Sequence, residues 1–195
     1  MYHFFVEPHQ IGAEEIRIEG ADVNHIRNVL RMKPGEEILI SSREGGDYFC
    51  RVEELEPEYV SAKILEEWEN KELPARIHLF QGLPKGDKME LIIQKAVELG
   101  AYRVVPVSMK RSVVKLDAKK ADAKRKRWNA VSESAAKQSK RSLIPEVAPL
   151  MTYKEAVKEA AGYDMVLLPY ESADGIRKTR ELLASVKPGT DIAVC

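Results

Sequence analysis

The sequence predicts an α/β protein in two parts, a small β-barrel followed by a domain built on a parallel sheet. Residues 1–70 break into short strand-like runs separated by tight-turn signals, and from Ala75 onward strand and helix alternate. A length of 195 residues suffices for one ordinary domain or two small ones, at roughly 100 to 200 residues each. The boundary is expected near residue 72, with 1–72 as the barrel and 73–195 as the α/β domain.

Tyr2 to Val6 and Glu15 to Ile18 have strand composition. Gly20-Ala21-Asp22 introduces a helix, with Asp22 as its N-cap and Val23, Ile26 and Leu30 at i, i+3 and i+7. Pro34-Gly35 ends it. Glu37 to Ser41, Tyr48 to Val52 and Tyr59 to Leu65 follow as strands, separated by the turn signals Glu44-Gly45-Gly46-Asp47 and Glu56-Pro57-Glu58. The acidic stretch Glu66 to Pro74 reads as a linker. In the second part, Arg76 to Gln81 is a strand, and Asp87 to Leu99 a helix closed by Gly100 as its C′ residue. Arg103 to Val107 is the next strand, and Asp117 to Lys140 is long enough for one or two helices before Pro145. Thr152 with Glu155 forms a capping box for a helix ending near Gly162. Tyr163 to Leu168 is a strand, Asp174 to Val186 a helix, and Asp191 to Cys195 the start of another strand.

Composition excludes several classes. A hydrophobic content of 44% is ordinary for a globular protein, and no segment approaches the roughly 20 apolar residues of a membrane span. The start Met1-Tyr2-His3-Phe4-Phe5-Val6-Glu7 has no basic n-region or apolar core, so neither export nor a membrane partner is expected. Two cysteines, Cys50 and Cys195, with four scattered histidines suggest neither a disulfide framework nor a zinc site. A reducing cytoplasm fits, and no metal is expected. Net charge is zero, but the charges are polarised: residues 1–75 carry 8 basic and 17 acidic residues, whereas 110–141 carry 12 basic and 3 acidic. The local field of the second block attracts phosphate.

No G-x-G-x-x-G, Walker loop or G-x-S-x-G occurs, which disfavours a classical dinucleotide fold, a nucleotidase and a covalent hydrolase. The strongest positive signal is Gln81-Gly82-Leu83-Pro84-Lys85-Gly86-Asp87-Lys88-Met89-Glu90, a loop that delivers two lysines to the mouth of a helix. Helix N-termini already offer N–H groups to anions. Met89, Ile92, Ile93 and Ala96 form the apolar stripe of that helix, and Lys88, Leu91, Lys95 and Glu98 line its other side. This is either a solvated amphipathic helix or an anion site. A cation such as Lys88 in a first turn opposes the helix dipole, which points to an anionic partner. In the basic block, Trp128 shares a stripe with Ala121, Val131 and Ala135 while Lys124, Arg125, Lys126 and Arg127 point elsewhere. A solvated basic face is one reading and phosphate binding the favoured one. Gln138 continues the Trp128 stripe where an apolar residue is expected, at a subunit interface or facing a site. His25 and His78 read as packed or surface histidines.

Five separated blocks then carry a family resemblance. They are Val23-Asn24-His25-Ile26-Arg27-Asn28-Val29-Leu30-Arg31, Lys85-Gly86-Asp87-Lys88-Met89-Glu90, Ile93 to Gly100, Arg111-Ser112-Val113-Val114, and Arg127-Trp128 with Glu133-Ser134-Ala135-Ala136-Lys137-Gln138-Ser139-Lys140-Arg141. In this order they closely resemble the RsmE family of ribosomal RNA methyltransferases. The resemblance implies an N-terminal PUA-like β-barrel, a C-terminal SPOUT domain with a trefoil knot, and a homodimer. It also implies S-adenosylmethionine-dependent methylation of a uridine at N-3 in 16S ribosomal RNA. Family members continue beyond Cys195 into a glycine-rich loop and a later Arg-x-Glu-Thr-Ala segment that complete the knot and most of the cofactor pocket. Of the cofactor-side loops, only Leu168-Pro169-Tyr170-Glu171 carries over. The resemblance thus implies weak cofactor binding by a chain ending at Cys195.

The reaction explains the residue types. The uracil imide N-3 is protonated at neutral pH, so its lone pair becomes available only when the proton leaves. Cations near the carbonyl oxygens stabilise the resulting anion, and Lys85, Lys88, Lys95 and Arg111 are the candidates, Lys88 and Arg111 foremost. Glu98 is the expected proton acceptor, with Glu133 as the alternative. The expected RNA contacts are Arg27, Arg31, Lys85, Lys95, Lys124, Arg125, Arg127, Gln138 and Arg141. The competing reading is a non-catalytic RNA-binding or ribosome-assembly module.

Overall fold

The computed structural model describes residues 1–110, 116–169 and 177–195. Two compact units result, Met1–Glu72 with Ala136–Ile144, and Leu73–Ala135 with Pro145–Cys195.

In the first unit, β1 (Tyr2–Val6), β2 (Glu15–Glu19), β3 (Glu37–Ser42), β4 (Asp47–Leu55) and β5 (Tyr59–Glu67) form one sheet in the order β1-β3-β4-β5-β2. The β1/β3 pair is parallel and the other ladders are antiparallel. Alternate residues point inward, as a half-buried sheet requires. Phe4, Val6, Ile16, Ile18, Ile38, Ile40, Cys50, Val52, Val60 and Ala62 form the core of this half-barrel. Helix α1 (Ala21–Asn24) runs into a π-helical turn, His25–Val29, and adds Val23, Ile26 and Met32 to the same core. The wider turn lets Leu30 donate its N–H to His25 at 2.8 Å and pack against the core, while Val29 stays 61% exposed. The expected N-cap is corrected here. Gly20, at φ 74°, precedes the first helical residue, and the Asp22 carboxylate instead accepts from Lys137 Nζ at 3.1 Å.

In the second unit, β6 (Arg76–Gly82), β7 (Arg103–Ser108), β8 (Glu146–Val147), β10 (Met165–Leu167) and β11 (Asp191–Val194) are ordered β10-β11-β6-β7-β8, and the short β9 (Met151–Thr152) also pairs with β7. Every ladder of this sheet is parallel. Its helices are α2 (Lys88–Glu98), α3 (Ala118–Ser139), α4 (Tyr153–Ala160) and α5 (Arg177–Ala184). The basic segment is thus one helix, α3, whose last turn clusters with the first unit. The passage from β6 to β7 and the return from β9 to β10 run in opposite directions across the sheet. Right-handed crossovers therefore put α2 and α4 on opposite faces. Ala156 and Ala160 of α4 pack on Phe80, Val105, Val107 and Ala193, while α2 buries Met89, Ile93 and Val97.

Two local signals act as expected. Thr152 and Glu155 form a reciprocal capping box. Gly100, at φ 97°, closes α2 with Gly100 N–H on Val97 O and Ala101 N–H on Ala96 O, the paired bonds of a Schellman motif. A Cβ at Gly100 would lie 2.7 Å from Leu73 Cδ1, so the position requires glycine on both counts.

At the N-terminal edge of the sheet, Arg76 grips Asp191 through Nε at 2.7 Å and Nη2 at 2.5 Å, and His78 Nε2 lies 2.9 Å from the same carboxylate. The Arg76 hydrogen bonds chiefly, with help from His78, hold the Asp191 carboxyl down to about 2. A depressed carboxyl stabilises the fold fully above its ordinary value of 3.8 and loses that contribution as pH falls toward 2. Wild-type stability should therefore drop between about pH 4 and pH 2, and Asp191→Asn should flatten this part of a denaturation-midpoint profile. An equal acid-side slope in the variant would place the effect elsewhere.

Candidate active site

Parallel α/β sheets place ligands beyond the carboxyl ends of their strands, at the point where strand order reverses. Here that point is β6, which has β7 on one side and β11 on the other. Its carboxyl end leads through Leu83–Asp87 into α2, so the Lys85-to-Glu90 motif lies at that carboxyl end.

A pocket at this mouth is lined by Leu83, Pro84, Gly86, Asp87, Met89, Glu90, Leu116, Lys124 and Trp128. Leu83, Met89 and Trp128 are buried and supply its apolar floor. Trp128 lies on the inward stripe of α3 with Ala135, as its spacing requires. The rim is charged. Glu90 pairs with Arg127, Nε lying 2.8 Å from Oε1 and Nη2 donating to Oε2 at 2.9 Å. Lys124 Nζ approaches Asp87 Oδ1 at 3.9 Å. Lys85 and Lys88 are exposed, and neither has an ion-pair partner among the described residues.

Other expected site residues lie apart from this mouth. Glu98 is ten residues beyond Lys88 on the same helix, about 15 Å along its axis at 1.5 Å per residue. Its carboxylate accepts from Lys95 Nζ at 2.7 Å and from Gln94 Nε2 at 2.8 Å. Those bonds, Lys95 first, lower its pKa and make it a weaker base, and Lys95 is engaged at the same far end. Within the basic run, Arg125 donates to Val147 O at 3.1 Å and to Glu146 Oε1 at 3.0 Å, so it anchors α3 to β8. Lys126 pairs with Asp122 at 3.3 Å while remaining 80% exposed. Arg141 is buried against Glu72, with Nε at 2.8 and 2.9 Å from its two carboxylate oxygens, so a phosphate contact would require breaking that pair. Gln138 is exposed in the last turn of α3, Arg27 is half-buried, and Arg31 is exposed at φ 53°. Leu168, 74% exposed, and Pro169 follow the carboxyl end of β10. Arg111, Tyr170 and Glu171 fall outside the described residues.

Sequence reasoning passed over Glu90. It ends the quoted loop motif, but its pairing with Arg127 and its place beside Trp128 arise only when α2 and α3 come together.

Comparison with known proteins defines the class first. Residues 71–195 match the family model for an RNA methyltransferase domain, and 18–65 the model for an RNA methyltransferase PUA domain. The fold is therefore a PUA-like half-barrel followed by a SPOUT-type methyltransferase domain. The chain is 39% identical over 178 residues to ribosomal RNA small subunit methyltransferase E of Bacillus subtilis, covering 89% of this chain and 69% of that protein. It is 30% identical over 164 residues to the Mycobacterium bovis protein of the same name, covering 82% of this chain and 63% of that one. The Neisseria gonorrhoeae ribosomal RNA small subunit methyltransferase E bound to S-adenosyl methionine superposes with a TM-score of 0.76 at 29% identity, over 100% of this chain and 79% of that one. The chain belongs to the ribosomal RNA small subunit methyltransferase E family, and spans 69% and 63% of the two curated relatives.

Proposed function

We propose that this protein transfers a methyl group from S-adenosylmethionine to N-3 of a uridine in 16S ribosomal RNA of the small ribosomal subunit, as a cytoplasmic homodimer. The observation that carries this reading is the match across most of the chain to small-subunit RNA methyltransferases, one of them bound to S-adenosyl methionine. Among the described residues no helix is long and apolar enough to cross a membrane, and no His, Cys, Asp and Glu group could hold a metal.

The exposed apolar side chain of Leu168, with Pro169 beyond the end of β10, suits the adenosyl face of the cofactor. Tyr170 and Glu171, next in sequence, are proposed as contacts of the same group. When bound, the cofactor supplies the electrophilic methyl group; positioning, anion stabilisation and proton removal fall to the protein. Lys85 and Lys88, with no carboxylate partner among the described residues, stabilise the uracil imide anion, and Arg111 is the further cation proposed for this task. The pairing edge carries N-3, so the uridine enters unpaired or extruded. Arg27, Arg31 and the cations of α3 guide the RNA backbone.

Incubating the protein with S-adenosylmethionine and unmodified small subunits, then resolving the digested 16S nucleosides by mass spectrometry, should give 3-methyluridine. RNA that binds the protein without acquiring that nucleoside would support the non-catalytic RNA-binding reading instead.

A further inference from the structure

We infer that Arg127 is a positioning residue with two working edges: Glu90 holds one of them and so fixes the mouth of α2, and the other takes a backbone phosphate of the RNA. This rests on the ribosomal RNA methyltransferase reading. It adds which cation of α3 sets the register between the RNA backbone and the lysines of the mouth.

Two charged pairs of matched spacing join the mouth of α2 to α3. Asp87 and Glu90 stand three residues apart where the loop enters α2, and Lys124 and Arg127 stand three apart on α3. Lys124 Nζ lies 3.9 Å from Asp87 Oδ1, and Arg127 meets Glu90 through Nε at 2.8 Å and Nη2 at 2.9 Å. Side chains three apart share one helix face, so a single placement of α3 serves both pairs. Asp87 precedes the first residue of α2 yet makes no cap bond; its carboxylate is the partner of Lys124 instead. The cavity beneath the pairs has a volume of about 30 Å³, room for a water or two. No nucleobase fits there, so the pairs act on the loop and on the RNA backbone.

The guanidinium of Arg127 is held on one side only. Such a group presents N–H donors along more than one edge of a rigid plane. Glu90 faces Nε and Nη2, and among the described residues no partner meets Nη1. Arg127 is 62% exposed and Glu90 20%, so the carboxylate lies inside and the cation outside. The open edge, between Nη1 and Nη2, matches two oxygens of a phosphate. An arginine already held by a carboxylate has given up its rotamer freedom before the phosphate arrives. Its neighbours differ: Arg125 is bonded to Val147 O and Glu146 and is 36% exposed, and Arg141 is buried against Glu72.

The same contact reaches the lysines. Glu90 follows Lys88 by two residues, about 200° round the helix. Holding Glu90 against α3 therefore fixes where Lys88 points on the opposite face. A phosphate gripped by Arg127 then stands at a set place relative to Lys85 and Lys88, which is what alignment of a nucleophile with a methyl donor requires.

Grip and register separate experimentally. Glu90→Gln keeps Arg127 and its charge, so anisotropy should show a 16S RNA fragment binding within about threefold of wild type with an unchanged salt slope. Its kcat for 3-methyluridine formation on small subunits should nevertheless fall at least about tenfold. Arg127→Lys keeps the charge without the fork and should show the same split. Arg127→Gln should in addition flatten the slope of log K against log salt by about 0.7–0.9. Each single variant should melt within about 4 °C of wild type, as loss of one partly exposed pair allows. The exchange of Glu90→Arg with Arg127→Glu restores the pair but turns a carboxylate toward the phosphate. It should keep the wild-type melting temperature, bind RNA more weakly and stay slow. A kcat within about threefold of wild type in Glu90→Gln or Arg127→Lys would overturn the inference. So would recovered turnover in the exchanged protein, because the pair alone would then suffice, or a kcat that merely tracks melting temperature across the variants. Wild-type protein that forms no 3-methyluridine defeats the methyltransferase reading and the inference with it, whereas equal methylation by wild type and every variant defeats the inference alone.

Discussion

Glu72→Gln is expected to destabilise the first unit by about 3–5 kcal/mol, the cost of leaving a buried cation without its counter-charge. The side chains of Glu72 and Arg141 are 15% and 9% exposed. Arg141 Nε lies 2.8 and 2.9 Å from the two carboxylate oxygens, Nη2 also donates to Oε2, and the backbone N–H of Ser142 donates to Oε1 at 2.8 Å. Glutamine can keep one acceptor but offers an amide where Arg141 needs an oxygen. For a chain of this size about 1 kcal/mol moves the melting temperature by 2–4 °C, so a loss of roughly 10 °C should appear by calorimetry. Glu72→Met with Arg141→Met removes both charges and should recover most of that loss. A single Glu72→Gln variant melting within 2 °C of wild type would show that the pair contributes little. A double variant no better than the single one would shift the explanation from charge to shape.

The same pair shows where sequence reading stops. Glu72 reads as part of an acidic linker and Arg141 as the end of a phosphate-binding run, because 69 residues separate them and composition carries no information about pairing. Local signals are legible for the opposite reason. The Thr152 capping box closes over three residues, the two bonds of the Gly100 cap over three and five, and the alternation of Phe4, Val6, Ile38 and Ile40 records inward-facing sheet positions. Asp22 is an intermediate case. Its residue type suits an N-cap, but the tertiary partner Lys137 takes its carboxylate and Gly20 precedes the helix instead. The mouth of α2 is legible as a loop motif, whereas the pocket is not, since Trp128 and Glu90 meet only through the packing of α3 on α2. Counting cations also overstates a basic surface. Lys124, Arg125, Lys126 and Arg127 face Asp87, Glu146, Asp122 and Glu90 respectively, and three of those four carboxylates come from other elements or loops.

That pairing sharpens what salt titration of RNA binding should read. Removing one phosphate-binding cation flattens the dependence of log K on log salt by about 0.7 for single strands or 0.9 for duplex. Lys126 and Arg127 are 80% and 62% exposed; the pair of Lys126 with Asp122 is a surface one that a phosphate can replace at little cost, whereas Glu90 is 20% exposed and stays beside Arg127, whose guanidinium is still open to phosphate. Lys126→Gln with Arg127→Gln should therefore flatten the slope by about 1.4–1.8 for binding of a 16S RNA fragment measured by anisotropy. Arg125 is different, because its guanidinium is already bonded to Val147 O and Glu146. Arg125→Gln should leave the slope unchanged and instead lower stability by about 1–2 kcal/mol through removal of the anchor between α3 and β8. If the double substitution leaves the slope as it was, the exposed face of α3 is a solvated surface and the RNA backbone runs elsewhere. If Arg125→Gln flattens it as much as the pair does, the guanidinium must exchange Glu146 for phosphate when RNA binds.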